Sequence, residues 1–212
     1  MELINPAVQR YAEEYSSGED DLLKKVSDYT FQQNLNAQML SGHLQGKVLE
    51  MISCMIRPKR ILEIGTFTGY SALCFAKGLT EDGMLHTIEA KETVASKAKE
   101  FFLQSKFAKK IILHTGNALS IIPNIDEIWD LVFIDADKPE YIEYFNLVLP
   151  KVKKNGFILA DNIFFHGEAL NDKVGGRNAK GIRAFNEFIK ERTDIEKVIL
   201  TVRDGLYLIR KL

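Results

Sequence analysis

The sequence is nearly without cysteine, with only two in 212 residues. Cys54 and Cys74 both fall in apolar stretches of helical spacing, so they are expected to be buried fillers. A disulfide scaffold, a thiolate metal centre and an oxidising compartment are set aside on that ground. No run approaches the roughly 18 consecutive apolar residues of a membrane span, and the first ten residues lack a basic segment followed by an apolar signal core. A cytoplasmic protein with no membrane partner is expected. Excess charge is missing too: 28 Lys and Arg against 29 Asp and Glu leave a net charge of −1. That balance gives no general field for nucleic acid and suits a small neutral or phenolic partner better. Internal repeats, low-complexity tracts and linker-like stretches are absent, so residues 1–212 are read as one domain with a single large core. The G-x-G-x-x-G fingerprint of dinucleotide enzymes does not occur in the stretch where a nucleotide would be sought.

In that place stands R-I-L-E-I-G-T-F-T-G-Y-S-A-L-C-F-A, Arg60 to Ala76, which reads as a short buried strand turning through Gly65 and Gly69 into a helix. Glycine lets the backbone approach a small molecule closely, and the helix start offers unpaired N–H groups and a positive dipole end. Glu63 lies at the carboxyl end of the strand, where open α/β sheets bind ligands. A carboxylate there suits a cationic amine better than a pyrophosphate, which favours S-adenosylmethionine over NAD. The bland alternative is that the glycines only allow tight packing of helix on strand.

Residues 1–58 read as a helical leader, with helices over Tyr11–Tyr15, Asp20–Gln33 and His43–Met55. Within it, N-A-Q-M-L-S-G-H-L-Q-G (residues 36–46) reads either as a linker, with Ser41 capping the next helix, or as a lid hinged at Gly42. Residues 59–212 then alternate. Strands are expected at 84–89, 111–114, 130–134 and 157–160, and helices at 93–104 and 141–149. This rhythm predicts an α/β fold with a Rossmann-like, doubly wound, mostly parallel sheet of seven strands. R-D-G at 203–205, between apolar runs at 195–202 and 206–209, signals a hairpin, so the C-terminal strand should be antiparallel.

The chemistry-bearing residues gather at strand ends. Glu89 ends the second strand about 20 residues after Gly69, where an acid reaches a bound nucleoside's ribose hydroxyls. G-N-A at 116–118 reads either as a cover for adenine or as a helix start capped by Asn117. Asp135, Asp137 and Lys138 end the fourth strand; Asp161 and Asn162 end the fifth. Two carboxylates and an amide oxygen make a hard-oxygen site suited to Mg²⁺, with Mn²⁺ or Ca²⁺ as alternatives. Lys138, beside such a cation and a buried crevice, is expected to lose its proton readily enough to act as a base. A phenol of pKa about 10 is only about one part in a thousand anionic at pH 7, a deficit of roughly 4 kcal/mol. Coordination to a divalent ion can supply that, and two adjacent hydroxyls could chelate it and orient one oxygen for transfer.

Taken in order, E-I-G-T-F-T-G-Y-S, I-E-A, F-I-D-A-D-K, L-A-D-N and V-R-D-G-L-Y-L-I-R resemble the cation-dependent class I O-methyltransferases, the group of catechol and caffeoyl-coenzyme A O-methyltransferases. The resemblance runs over most of the chain. It implies metal ligation by Asp135, Asp161 and Asn162, with Lys138 as general base. Glu63, Gly65, Thr66 and Ser71 would hold the methionine portion of S-adenosylmethionine, Asp137 would lie near its amine, Glu89 on its ribose and Ala118 against adenine. It also implies a homodimer whose leader adds to the pocket, which makes Ser41 a cofactor contact. The chain departs from plant members at His166, which stands where they often carry a substrate-touching asparagine. His166 reads as a substrate contact or a plain loop residue, and residues 167–180 read as a variable substrate-facing loop. The expected reaction is methyl transfer to a hydroxyl of an aromatic vicinal diol. The rivals are the same transfer to a hydroxylated base in transfer RNA, which a basic face around Lys24, Lys25, Lys151, Lys153 and Lys154 would support, and a non-catalytic nucleoside-binding dimeric module.

Overall fold

The computed structural model describes residues 3–33, 39–171 and 173–212. Residues 36–38, the first part of the segment read as linker or lid, lie outside the described residues. In chain order the leader carries α1 (Pro6–Glu14), α2 (Asp21–Gln32) and α3 (Gly42–Ile56). Then follow β1 (Arg60–Ile64), α4 (Tyr70–Ala76), β2 (Met84–Glu89), α5 (Glu92–Gln104), β3 (Ile111–Thr115) and α6 (Ala118–Ile121). The last third holds β4 (Trp129–Ile134), α7 (Tyr141–Val148), β5 (Val152–Asp161), α8 (Arg177–Lys190), β6 (Ile195–Leu200) and β7 (Leu206–Lys211).

Strand alternation decides which side of the sheet each apolar residue feeds. Ile61, Leu131, Phe133 and Leu159 pack with α3, α4, α5 and part of α2, through Leu49, Phe75, Phe101 and Val26. Their neighbours Leu62, Ile64, Val132, Ile134 and Ile158 face the other way, against Phe145 of α7 and Ile182 and Phe185 of α8. Because both faces are covered, β1 and β4 read as almost unbroken apolar runs, as parallel strands with two buried faces must. The seven strands lie in the order β3-β2-β1-β4-β5-β7-β6, and β7 runs antiparallel to both of its neighbours. The expected Rossmann-like sheet with its reversed C-terminal strand is therefore present.

Several expectations are corrected. The first helix begins at Pro6, not near Tyr11: Pro6 takes the first turn and the Asn5 side chain accepts from the Ala7 amide. β5 starts five residues earlier than its apolar run, because Lys153 to Asn155 are exposed and carry no alternation. Cys54 is exposed; only Cys74 is buried. Ser41 stands at the start of α3 but makes no side-chain capping bond. The loop expected at residues 167–180 gives way at Arg177 to α8, whose Ala179, Ile182, Phe185 and Ile189 are buried at helical spacing. Gly181 masks this helix in the sequence, since glycine weakens a helix interior. Its reason is contact: a Cβ there would lie 2.7 Å from Pro139 Cα and 2.8 Å from the Lys138 carbonyl oxygen. No helix among the described residues is long and apolar enough to cross a membrane.

One pair of side chains inside the sheet responds to acid. His86 of β2 and His114 of β3 face each other with Nδ1 and Nε2 3.1 Å apart, and His86 lies edge-on to Trp129. Burial and then His114 push His86 down from 6.5 to about 4; burial also lowers His114. Glu127 opposes the shift on His86 and Arg60 adds to it. The unfolded chain therefore takes up protons below pH 6.5 that the folded chain refuses, so the contribution of these histidines is full above 6.5 and is lost as the pH falls towards 4. His86→Leu should remove about 1–2 kcal/mol of that acid-side loss, once solvent screening is allowed for. Urea unfolding at pH 7 and pH 5 checks this, and an unchanged difference between the two pH values refutes it.

Candidate functional site

The strand order reverses beside β1, where the chain leaves β1 for β2 on one side and returns to β4 on the other. That is the point at which a parallel sheet opens a crevice at its carboxyl edge. Gly65 makes the turn there with φ +101°, and a Cβ on it would sit 1.9 Å from the Asp135 carbonyl oxygen. Gly65 and Thr66 donate their amides to the Ile88 carbonyl at 3.0 and 3.2 Å, and the Asp135 amide donates to the Ile64 carbonyl at 2.9 Å. Backbone hydrogen bonds thus tie the glycine turn to the end of β2 and the end of β4 to that of β1.

Above this turn lies a cavity of about 680 Å³. Ser41, Gly65, Thr66, Ser71, Glu89, Ala118, Asp135, Asp137, Lys138, Asn162 and His166 all line it. Glu63 and Asp161 do not. Alternation along β1 turns Glu63 to the α4 side, where it is fully buried. Ser71 Oγ donates to one of its oxygens at 2.6 Å and Thr87 Oγ1 to the other at 2.5 Å; Thr66 Oγ1 lies 2.5 Å from Thr87 Oγ1. Burial pushes Glu63 up to about 8 against these hydrogen bonds, and the charges of Asp135 and Glu89 add to the rise. In this structure it braces the floor from behind and does not face the cavity. Glu89 does face it, with its carboxylate already accepting the amides of Phe67 at 2.9 Å and Lys91 at 3.0 Å. Asn117 caps α6, its side chain accepting from Ser120 N. Asp137 lies 3.8 Å from the guanidinium of Arg177, a residue that the sequence placed in a loop.

The chemistry-bearing end of the cavity centres on Lys138. Its Nζ donates to Asp135 Oδ1 at 2.7 Å, Tyr141 OH at 2.7 Å and Asn162 Oδ1 at 2.9 Å. Burial alone would push this lysine down, as the sequence suggested, but Asp135, Tyr141 and Asp161 together carry it well above its ordinary range. With these neighbours and no cation beside them, the ammonium form of Lys138 is the favoured one. Tyr141, whose hydroxyl also lies 3.3 Å from the Ile134 carbonyl and 3.2 Å from that of Asp161, was not singled out in the sequence. Its aromatic position in a helix is indistinguishable from a core residue.

Asp161 is fully buried beside this cluster. It accepts from the Asn162 amide at 2.8 Å and from Gln45 Nε2, on α3, at 2.7 Å. Burial, then the Asp135 charge, push it up to about 6, with Lys138 and the Gln45 bond opposing. Among the described residues no three His, Cys, Asp or Glu side chains converge as a ready cage; the candidate set depends on the Asn162 amide oxygen. It nonetheless fits a hard cation. Two oxygens already converge on one positive nitrogen, every donor is oxygen, and the mutual repulsion of Asp135 and Asp161 is what a further positive charge would relieve.

A second cavity of about 810 Å³ adjoins the first and shares Leu40, Ser41, Asn162 and His166 with it. Its far wall comes from the leader, including Leu3, Ile4, Pro6 and Phe31. The His166 side chain is largely exposed, its ring 3.8 Å from Asp204. The lysines considered as a basic face do not surround these cavities. Lys151 and Lys153 lie at the start of β5, the end away from Asp161; Lys153 pairs with Asp130, and Lys151 bonds the carbonyl of Ile125 at 2.7 Å.

Comparison with known proteins gives this arrangement its context. A family model described as O-methyltransferase matches residues 13–212. The catechol O-methyltransferase of Niastella koreensis is 31% identical, over 93% of this chain and 90% of the relative. Caffeoyl-CoA O-methyltransferase 2 of Populus trichocarpa is 28% identical, over 92% and 83%. Among solved structures, the O-methyltransferase TomG from Streptomyces achromogenes, involved in tomaymycin synthesis and solved in complex with SAM, superposes with a TM-score of 0.89 at 30% identity, covering 97% of this chain and 96% of its own.

The buried Glu63 yields a test with a definite sign. Its raised folded value means that from pH 4.5 to about 8 the unfolded chain ionises a group that the folded chain keeps protonated, so its contribution worsens as pH rises. Glu63→Gln should gain stability relative to wild type between pH 5 and pH 8. Glu63→Ala, which leaves two buried hydroxyls and a void, should lose about 3 kcal/mol at either pH. Paired denaturant titrations decide it, and a Glu63→Gln difference that is flat with pH contradicts the protonated carboxyl.

Proposed function

Because this chain belongs to the O-methyltransferase family, we propose that it moves a methyl group from S-adenosylmethionine to one hydroxyl of a vicinal diol on an aromatic ring, with a divalent cation held by Asp135, Asp161 and Asn162. The observation that carries this reading is the convergence of Asp135 Oδ1 and Asn162 Oδ1 on a single cationic nitrogen where two cavities adjoin. The SAM complex of TomG supports the methyl donor, and the catechol and caffeoyl-CoA names of the relatives support the acceptor class.

The first cavity takes the donor. The Gly65 turn, Thr66 and Ser71 hold its methionine portion, Asp137 meets the amine, Glu89 the ribose and Ala118 the adenine, while Ser41 closes over it from the leader. The second cavity takes the acceptor, with apolar leader residues offering a surface for the ring. A bound Mg²⁺ would supply charge stabilisation for a phenolate and a two-point hold on adjacent hydroxyls. Lys138 would meet the reacting hydroxyl: as an ammonium it stabilises the phenolate oxygen, and once the charge of Asp135 is shared with the cation the same nitrogen can accept the proton. Asp161, held behind the cavity wall by Gln45 and the Asn162 amide, would turn one carboxylate oxygen from those partners onto the cation.

The test is transfer from labelled S-adenosylmethionine to a panel of catechols, with Mg²⁺ and with excess chelator. Transfer should require the cation, and Asp135→Ala should abolish it while leaving S-adenosylmethionine affinity intact. Full activity in chelator, or in Asp135→Ala, ends the cation assignment; no turnover of any diol despite bound donor ends the acceptor assignment.

A further inference from the structure

The R-D-G stretch is a hairpin turn, closed by the Gly205 amide on the Val202 carbonyl at 2.9 Å, yet its contacts reach past the hairpin. Asp204 is buried at 5% exposure. Its Oδ1 accepts the His166 amide at 2.7 Å and its Oδ2 accepts from Asn162 Nδ2 at 3.3 Å. Its own carbonyl accepts the Phe164 amide at 3.0 Å, and that of Gly205 accepts the Ile163 amide at 3.2 Å. The segment gripped in this way is the one that leaves β5 and supplies Asn162 and His166 to the wall common to both cavities. It contains three non-glycine residues in the left-handed region: Asn162 at φ 57°, Phe165 at 47° and His166 at 55°. Conformations of that kind persist only where the surroundings over-determine them.

The Asn162 amide has a donor end and an acceptor end, and only one can face Lys138 and Asp135. Asp204 takes the donor end, which leaves Oδ1 pointing at the Lys138 nitrogen, 2.9 Å away. We propose that Asp204 is a positioning residue: it fixes which end of the Asn162 amide faces the cation site, and it holds the backbone of the His166 loop in place. The first half rests on the divalent-cation reading above; the second stands without it. The anchor is the His166 backbone amide, since the ring lies 3.8 Å from the carboxylate.

Two near-isosteric variants separate the two roles. Asp204→Asn keeps an oxygen for the His166 amide but sets an NH₂ against Asn162 Nδ2, so the Asn162 amide must turn its own NH₂ towards the cation site. Asp204→Ala removes both contacts. In the double variant Asn162→Asp with Asp204→Asn, the donor and acceptor are exchanged and an oxygen again faces the site. Mn²⁺ binding is followed by electron paramagnetic resonance in the presence of S-adenosylhomocysteine, and amide hydrogen exchange of the peptide spanning 162–167 by mass spectrometry. Asp204→Asn should weaken Mn²⁺ binding by about tenfold with loop exchange as in wild type. Asp204→Ala should weaken binding similarly and speed loop exchange by about tenfold. The double variant should bind Mn²⁺ more tightly than Asp204→Asn alone. Wild-type Mn²⁺ affinity in Asp204→Asn, or no recovery in the double variant, overturns the amide-orienting role; unchanged loop exchange in Asp204→Ala overturns the clamp. If the wild-type protein binds no Mn²⁺ at all, the cation reading and the orienting role fall together, and the exchange measurement alone decides whether the clamp stands.

Discussion

Between the ends of β1 and β4 there is room for a hydrogen atom and nothing larger, because the Asp135 carbonyl lies against the α-carbon of Gly65. This contact fixes the relative height of two strand ends, and from it the site follows. Thr66 and Ser71 are placed by the turn and helix that Gly65 begins. Asp135 and Lys138 are placed by the turn that leaves β4, and Asn162 by β5, which pairs with β4 in register up to Ala160. A larger residue at position 65 would separate the two halves of the crevice before it disturbed any side chain.

The electrostatics of the crevice follow from the same crowding. Asp135 is brought close to both Glu63 and Asp161 by the sheet, and Lys138 is a positive group beside Asp135 and Asp161. Glu63 and Asp161 respond by holding protons more tightly, while Lys138 is held charged. Burial normally favours neutral forms of both acids and amines; here it does so for two acids, while at the lysine Asp135, Tyr141 and Asp161 together overcome a desolvation that is larger than the pull of any one of them.

What could be read from the sequence divides along physical lines. The buried parallel strands were legible because two covered faces produce unbroken apolar runs, and the glycine turn was legible because close backbone approach has few alternatives to glycine. The strand-end residues Asp135, Asp137, Lys138 and Asn162 were legible as neighbours because parallel strands bring their carboxyl ends to one edge. Contacts between distant segments were not legible. Nothing in Q-G-K-V marks Gln45 as the partner of an aspartate 116 residues away, and Tyr141 looks like any core aromatic. Glu63 was legible as a strand-end acid, but not which way it faces, since its partners Ser71 and Thr87 come from other segments. α8 was hidden by Gly181, whose role is to let a helix touch the turn bearing Lys138.

The position of β7 carries a consequence for how such a molecule is made. It follows β6 in the chain but lies between β5 and β6 in space, so β6 has no sheet to join until the ribosome has moved beyond it and β7 has been released to pair with β5. A nascent chain halted between the two strands would hold every residue of the Lys138 cluster and still lack the strand that covers the edge of β5. Until that strand arrives, the exposed edge is free to pair with another chain, so the interval between emergence of β5 and of β7 is the time at which crowding on a polysome would most readily divert the protein into aggregates.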